Sequence, residues 1–325
     1  MKSTAKNSNL HRASKAKEDE FYTQLSDIEN ELKHYKHHFK DKVVYCNCDD
    51  PRVSNFFHYF SYNFEHLGLK KLIATCYQSQ KADLFSENDS DEAVYLEYTG
   101  DKDGNGIPSD SEITVKALKG DGDFRSDECI ELLKQADIVV TNPPFSLFRA
   151  YVAQLIEYDK RFLIIGSQNA ITYKDIFSLI RDDKVWLGNK SGDMKFKVPN
   201  HYEPRKTRYW QDETGQKWRS MGNICWFTNL DHARRHEELI LYKNYNPEEY
   251  PHYDDYNAIN VSKVAEIPID WDGAMGVPIT FLNKHNPKQF KLLGIDRYIE
   301  DNPNYGRRFK LDGKEVYARI VIKKI

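Results

Sequence analysis

A hydrophobic run ends at two consecutive prolines in the stretch Asp137-Ile138-Val139-Val140-Thr141-Asn142-Pro143-Pro144-Phe145. The β-branched residues at 138–141 predict a buried strand, and residues 147–158 have the apolar spacing of a helix. Strand, turn and helix in this order are typical of the crossover units of a parallel sheet. We therefore expect the turn to lie at the carboxyl edge of such a sheet, where α/β folds bind their ligands.

The same alternation of short apolar runs and helical stretches continues on both sides of this turn. Further strands are predicted at residues 42–46, 71–76, 113–117 and 162–166. Further helices are predicted at residues 21–39, 53–67 and 126–135. Later apolar runs predict two more strands, at residues 184–188 and 223–228. The pattern predicts an α/β protein with a doubly wound, mostly parallel sheet.

Composition divides the chain into a basic tail at residues 1–17, the α/β region at 18–234 and a smaller region at 235–325. Within the α/β region, residues 79–112 are predicted to be an insertion. Residues 189–222 interleave basic and aromatic side chains, which suits phosphate contacts and base stacking and predicts a DNA-facing loop. A solvated loop packed by its own aromatics is the alternative. The basic and aromatic residues are Lys195, Phe196, Lys197, Tyr202, Arg205, Lys206, Arg208, Tyr209, Trp210, Lys217, Trp218 and Arg219.

Bulk properties exclude several classes of protein. With 40% hydrophobic residues, a chain of 325 residues can bury a large core. No apolar run reaches the roughly 18 residues of a membrane span, and the N-terminus lacks the apolar segment of a signal peptide, so we expect a cytoplasmic protein without membrane contact. The five scattered cysteines are expected to be free thiols. The net charge of −3 argues weakly against nucleic acid, but basic residues concentrate at both ends of the chain.

One segment fits a metal-binding pattern. Asp101-Lys102-Asp103-Gly104-Asn105-Gly106, followed by Glu112, matches the spacing of a calcium loop. An EF-hand needs flanking helices, however, and residues 94–98 and 113–117 have the pattern of strands. A hairpin turn rich in Asp, Asn and Gly is the other account. We predict no bound metal and keep calcium as the alternative.

The motif Asn142-Pro143-Pro144-Phe145 carries groups suited to methylating an exocyclic amino group such as N6 of adenine. The lone pair of that nitrogen is delocalised into the ring, so a catalyst must favour the pyramidal form. The Asn142 side-chain oxygen and the Pro143 carbonyl can each accept one amino N–H bond. Pro143 and Pro144 keep the turn rigid, and Phe145 offers a face on which an extruded base can stack. The alternative is a strand-terminating turn with Phe145 packed in the core.

Four segments together closely resemble the EcoRI-type adenine methyltransferases. They are Asp19-Glu20-Phe21-Tyr22-Thr23 and residues 43–51, 120–126 and 137–148. The resemblance implies a Rossmann-like class I methyltransferase that takes a methyl group from S-adenosylmethionine and places it on adenine N6 in duplex DNA by base flipping. It also implies a target-recognition region at 235–325, a restriction-modification system with a cognate endonuclease, and GAATTC as a candidate site. One flipped adenine per event suits a monomer.

The resemblance further implies which residues hold S-adenosylmethionine. Those in the first segment match the N-terminal cofactor motif, those after the first strand lie where methyltransferases hold the methionine portion, and an Asp-Phe pair touches the adenine end. The residues are Tyr22, Thr23, Cys46, Asn47, Cys48, Asp49, Asp50, Asp123 and Phe124.

The chain also departs from the wider methyltransferase pattern. The loop after the first strand lacks the usual glycines, and the second strand ends in Thr75-Cys76-Tyr77 without the ribose-binding carboxylate. Asp49 or Asp50 could replace that carboxylate, or either could cap a helix. Asp123 could be a turn residue, and Phe124 could be core filling.

Two other functions fit the same motif. Enzymes that methylate glutamine side chains in proteins or amino groups in RNA use the same N-P-P-F chemistry, because an amide or amine nitrogen is the acceptor in each. A DNA-binding module that has kept the fold and lost catalysis is the third interpretation. The intact Asn142 argues against that module.

Overall fold

The structure is a computed structural model that describes residues 21–48, 54–75, 93–200, 202–300, 302–303 and 305–325. The chain forms two compact units. Of the described residues, the first unit contains those up to Ser167 and Lys190–Leu230, and the second contains Gln168–Asn189 and Asp231–Ile325. No helix in these described ranges is long and apolar enough to cross a membrane.

A ten-stranded sheet contains the strands of the α/β region. Its strands are β1 (Tyr22–Thr23), β2 (Val43–Cys46), β3 (Lys71–Thr75), β4 (Val94–Tyr98), β5 (Thr114–Ala117), β6 (Ile138–Thr141), β7 (Arg161–Ser167), β8 (Trp186–Lys197), β9 (Tyr209–Gln211) and β10 (Lys217–Thr228). Their order is β1-β8-β10-β7-β6-β2-β3-β4-β5, with β9 paired to β10 alone.

The sheet is mixed, with its parallel part in the middle. Strands β7, β6, β2 and β3 run parallel to one another, and their short apolar runs are buried as fully covered parallel strands require. Strands β4 and β5 add to β3 as an antiparallel hairpin, and β10 pairs antiparallel with β7. The predicted parallel arrangement therefore holds for the four central strands, and the flanking strands are antiparallel.

The helices of the first unit connect these strands. They are α1 (Leu25–Leu32), α2 (Asn55–Tyr62), α3 (Phe64–Leu67), α4 (Asp127–Gln135) and α5 (Phe148–Glu157). Ser54 and Ser126 cap α2 and α4, since each side-chain oxygen accepts a backbone N–H of the first turn. Gly166 lets α5 pack closely on β7, because a Cβ at this position would lie 2.5 Å from the Phe148 ring. The predicted central strands and α4 and α5 agree with the structure to within one residue at each end.

The predicted helix at residues 21–39 is wrong in its extent. Tyr22–Thr23 pairs with β8, α1 ends at Leu32, and a separate 3-10 turn spans Lys36–His38. The apolar residues of the pattern are nevertheless buried, because strand pairing and a tighter turn bring them to the same core. The sequence spacing predicted which side chains are buried and not how the backbone places them.

The segment at 189–222 is largely strand and not loop. Strands β8 and β10 are each 12 residues long and extend well into this segment, and β9 adds to β10. Their outer halves carry alternating polar and apolar residues, which a pair of strands can place on opposite faces. The predicted strands at 184–188 and 223–228 are therefore only parts of β8 and β10.

The second unit has its own four-stranded sheet, in the order β11-β12-β16-β13. It contains α6 (Lys174–Arg181), β11 (Ile259–Asn260), β12 (Met275–Pro278), β13 (Phe290–Ile295), the small pair β14 (Lys310–Leu311) and β15 (Lys314–Glu315), and β16 (Arg319–Lys324). Helix α6 buries Ile176, Phe177 and Ile180 and packs on β13. Residues 168–189, which sequence composition placed within 18–234, thus belong to this unit.

The segment that fits a calcium pattern connects β4 to β5, so strands flank it, as the hairpin interpretation predicts. Asp101 accepts backbone N–H bonds from Gly104 (2.8 Å) and Gly106 (2.7 Å), and Glu112 accepts one from Lys102 (2.6 Å). These bonds lower the pKa of both carboxyls. One oxygen from each of Asp101, Asp103 and Glu112 lies within 4.8 Å of the others.

Candidate active site

Asn142 follows β6, at the carboxyl end of a central parallel strand, and its side chain is buried. Its amide nitrogen donates a hydrogen bond to the main-chain carbonyl of Phe21 at 2.7 Å. Its amide oxygen is buried and has no hydrogen-bond partner among the described residues. A buried acceptor without a partner costs about 1–3 kcal/mol. The turn therefore presents an oriented acceptor that a ligand N–H could satisfy.

The rest of the Asn142 turn (residues 142–145) supplies a rigid backbone and an aromatic face. Pro143 is buried, and the Pro144 carbonyl accepts the backbone N–H of Leu147 at 3.0 Å as the 3-10 turn Phe145–Leu147 begins. The half-buried Phe145 ring stacks on the Phe21 ring, with centroids 5.6 Å apart and planes 25° apart. Phe21 thus contacts both functional side chains of the turn.

Asn47, after β2, is joined to the Asn142 turn through two side chains. The Thr141 hydroxyl donates to the Asn47 main-chain carbonyl, and the Tyr151 hydroxyl of α5 donates to the Asn47 side-chain oxygen. Burial raises the pKa of Tyr151 well above its ordinary value, so this hydroxyl stays protonated as a donor. The loop after β2 is thereby fixed to the neighbouring strand β6.

The other predicted residues at the end of β2 and in the loop after it differ in burial. Cys46 is buried at the end of β2, Cys48 is half-buried, and neither forms a disulfide with another described residue. Cys48 has φ 82°, a left-handed conformation that glycine adopts most easily, so this loop makes its turn without the glycines usual in methyltransferases. Asp49 and Asp50 lie outside the described residues.

The N-terminal pair lies on β1, whose register places Tyr22 opposite Lys197 and Thr23 opposite Phe196 of β8. The Thr23 main-chain carbonyl accepts the Asn55 side-chain amide at 2.7 Å. The Thr23 hydroxyl oxygen is buried and has no hydrogen-bond partner in the described structure. Thr23 lies two positions after Phe21, whose carbonyl binds Asn142, the other predicted site residue with an orphaned oxygen in the described structure.

Asp123 is held within its own loop, the Asp123 loop (residues 120–126). Arg125 binds both carboxylate oxygens, from Nε to Oδ1 at 2.9 Å and from Nη2 to Oδ2 at 2.5 Å. These bonds hold the pKa of Asp123 below its ordinary value. Phe124 is buried, and its ring meets the Tyr151 ring edge-on at 5.0 Å.

A chain of contacts connects several of the predicted site residues. It runs from Phe124 through Tyr151, Asn47 and Thr141 to Asn142, and from there to Phe21. Phe21, Tyr151 and Thr141 contact predicted site residues, although sequence patterns had not singled them out as members of the site. Phe21 could have been noticed, because it directly precedes the Tyr22-Thr23 pair within the same resembling segment.

An aromatic row extends from this site into the basic segment. The Phe21 ring contacts Phe196 and Tyr202, at 5.6 and 6.0 Å, and Tyr202 stacks on Tyr209 at 6.4 Å. The Arg205 guanidinium lies 5.8 Å from the Tyr202 ring centre. The basic and aromatic side chains of 189–222 thus reach the neighbourhood of the Asn142 turn.

Farther along the hairpin, Trp210 of β9 and Trp218 of β10 stack with their planes 3° apart, and Lys197 lies over Trp218 at 5.7 Å. Arg208 pairs with Asp193 at 2.9 Å. Some aromatics of this segment therefore pack on one another, as the alternative interpretation required, while Trp210 remains partly exposed.

Comparisons with known proteins show the family of the chain. The family model for the adenine-specific methyltransferase EcoRI matches residues 9–325. The type II methyltransferase M.EcoRI of Escherichia coli is 52% identical over 327 residues, covering 99% of this chain and 98% of that protein. M.MgeORF184P of Mycoplasma genitalium and M.MpnI of Mycoplasma pneumoniae, also type II methyltransferases, are each 40% identical over 97% of this chain and cover 98% and 97% of their own lengths. No solved structure matches the chain. The match over nearly the whole chain confirms the resemblance, and the chain belongs to the EcoRI family of adenine-specific methyltransferases.

Proposed function

We propose that this methyltransferase transfers a methyl group from S-adenosylmethionine to N6 of an adenine that is flipped out of duplex DNA. The observation that carries the proposal is the state of the Asn142 amide. Its nitrogen already donates a hydrogen bond to the Phe21 carbonyl, and its oxygen is buried without a partner among the residues that the structure describes. An amino group is a ligand that would satisfy this acceptor.

The chemistry of the turn follows from two acceptors and one ring. The Asn142 oxygen and the Pro143 carbonyl each accept one amino N–H bond, which favours the pyramidal nitrogen with a free lone pair. The acceptors act strongly because they are fixed before the base arrives and are shielded from water. Phe145 stacks on the extruded base and limits its rotation.

The residues around β2 and β6 fit S-adenosylmethionine. The orphaned Thr23 hydroxyl and the anchored loop at Asn47 can hold the methionine portion, while Asp123 and Phe124 can hold the adenine end. These residues lie in one unit with parallel central strands, as expected for a Rossmann-like class I methyltransferase. When bound, this cofactor supplies an electrophilic methyl group on its sulfonium.

We assign DNA binding to the basic and aromatic segment 189–222 and to the basic tail at 1–17. The aromatic row from Phe21 to Tyr209 supports this assignment, because it places Arg205 beside rings that lead to Phe145. The first unit would then bind cofactor and target base, and the second unit, with residues 168–189 and 231–325, would recognise the flanking sequence.

The biological setting follows from the relatives, which are named as type II methyltransferases. We propose that the chain is the modification enzyme of a restriction-modification system, acts as a monomer and has a cognate endonuclease. The 52% identity to M.EcoRI makes GAATTC the first recognition sequence to test.

The test is transfer of labelled methyl from S-adenosylmethionine to unmethylated duplex DNA, with RNA and total protein as parallel acceptors. Label in DNA alone is the expected result, and sequencing of the product would locate the site. Label in RNA or protein would show that the substrate is wrong. No label in any acceptor, with intact folding, would favour a DNA-binding module without catalysis.

A further inference from the structure

Phe21 contacts the Asn142 turn with both its main chain and its ring. The main-chain carbonyl accepts the Asn142 amide N–H at 2.7 Å, and the ring stacks on Phe145. The side chain is 5% exposed. These two contacts can be separated, because a side chain can rotate while its own carbonyl stays in place.

The carbonyl is fixed by strand pairing. Directly after Phe21, Tyr22 and Thr23 pair with Lys197 and Phe196 of β8, and Asn55 binds the Thr23 carbonyl. The amide nitrogen of Asn142 therefore has a stationary acceptor. This contact fixes the orientation of the amide, whose oxygen is the only acceptor of that side chain.

The ring occupies space that a stacked base requires. Two rings that enclose a base must stand about 7 Å apart, since each stacking contact needs roughly 3.5 Å. The centroids of Phe21 and Phe145 are 5.6 Å apart, so no base fits between them. The Phe21 ring therefore covers one face of Phe145, while the carbonyl of the same residue binds the Asn142 amide nitrogen.

We propose that Phe21 is a positioning residue whose carbonyl orients the Asn142 amide and whose ring holds the place of the target adenine against Phe145 until the base displaces it. The inference rests on the proposed function. Before the base arrives, the ring keeps water from the acceptor. When the base arrives, one aromatic contact replaces another, so the exchange costs little.

The displaced ring has aromatic neighbours to receive it. Phe196 and Tyr202 already contact Phe21, at 57° and 63° to its plane. Tyr202 is fixed by two basic residues of the same segment 189–222. Lys217 donates to its carbonyl at 3.0 Å, and the Arg205 guanidinium lies over its ring. DNA bound to segment 189–222 would therefore contact the region whose rings, Phe196 and Tyr202, must make room for Phe21.

The test compares two duplexes that carry the mapped target site, one with the target adenine and one with an abasic position in its place. Only the duplex with the base requires the Phe21 ring to move. Phe21→Leu should lower the ratio of the Kd for the adenine duplex to the Kd for the abasic duplex by about two- to tenfold, the strength of one stacked pair. General loss of stability affects both Kd values and cancels in the ratio.

Phe60→Leu is the matched control, because it shortens a fully buried ring of the same unit whose ring contacts are with Phe39 and Tyr59. It should leave the ratio unchanged. An unchanged ratio in Phe21→Leu, or an equal change in both variants, would overturn the inference. Methylation of DNA by the unmodified protein is measured first, so failure of the proposed function would be seen separately.

Discussion

The Asn142 turn and the Asp123 loop are held in place in opposite ways. Asn142 is fixed by Phe21, which lies 121 positions away in sequence, and its acceptor oxygen has no partner in the described part of the chain. The Asp123 carboxylate is bound by Arg125, two positions away, and both of its oxygens are paired. The Asn142 oxygen can therefore bind a ligand directly, whereas the Asp123 carboxylate must first release Arg125.

This difference indicates where the two functions are most sensitive. A group that is fixed by distant segments and left unsatisfied loses its role when it is removed. A group that is paired within its own loop can be adjusted by changing the competing partner. Substitutions in the Asn142 turn should therefore have large effects on methyl transfer. Substitutions in the Asp123 loop should have smaller effects, and on cofactor binding.

The largest effect is expected for Asn142→Ala. Loss of the oriented acceptor should lower kcat for methyl transfer by at least about 100-fold, while the Kd for S-adenosylmethionine changes little. Steady-state transfer and equilibrium binding check this. Asn63→Ala is the matched control, because Asn63 also donates to a main-chain carbonyl, at 2.8 Å, but lies in the turn between α2 and α3. Equal losses of transfer and binding in Asn142→Ala would contradict the assignment.

A smaller effect is expected for Tyr151→Phe. Without its hydroxyl, the Asn47 side-chain oxygen loses its donor, and the KM for S-adenosylmethionine should rise by about tenfold, as for one buried hydrogen bond. The effect on kcat should be smaller than the effect on KM. Tyr253→Phe, which removes another buried tyrosine hydroxyl in the second unit, should leave this KM unchanged. If both variants have a similar KM for S-adenosylmethionine, the hydrogen bond from Tyr151 to Asn47 does not contribute to cofactor binding.

The Asp123 loop should respond to pH. Arg125 lowers the pKa of Asp123, so the folded-state carboxylate stays ionised, and its contribution persists, until the pH falls through that lowered pKa. Arg125→Ala should move the acidic loss of S-adenosylmethionine affinity to higher pH. Titrations of Kd against pH test this, with Arg181→Ala, from the exposed pair with Asp182, as control. An acidic limb that does not move would show that Asp123 does not contact the cofactor.

The smallest effect is expected for Arg205→Gln in the basic segment. Removing one phosphate contact should weaken DNA binding several-fold and reduce the slope of log K against log salt by about 0.9. Binding of S-adenosylmethionine should not change. Lys134→Gln on α4, which pairs with Glu131, is the control. If the slope of log K against log salt does not change, Arg205 does not contact a DNA phosphate.

Local patterns predicted the centre of the fold well. The predicted bounds of β6, the proline turn and α5 agree with the structure to within one residue. A buried parallel strand and a Pro-Pro boundary depend on residues that are adjacent in sequence, so a local pattern is enough to predict them. The helix predicted at 21–39 was wrong because Tyr22 and Thr23 pair with a strand that follows much later in the chain. The strands predicted at 184–188 and 223–228 were too short, because their continuations into 189–222 mix polar and apolar residues and do not form apolar runs.

The site was predictable in its chemistry but not in its connections. Asn142 and Phe145 follow from the motif itself. Thr141, Tyr151 and Phe21 act through partners that are about a hundred positions away in sequence, which no local spacing reports. The orphaned oxygen of Asn142 is visible only once those partners are placed.

The most direct measurement of the central claim is nucleoside analysis of DNA incubated with S-adenosylmethionine and either the unmodified protein or Asn142→Ala. The account predicts N6-methyladenine as the methylated nucleoside with the unmodified protein and none with the variant. N6-methyladenine formed equally by both proteins, or a methyl group on another base, would contradict it.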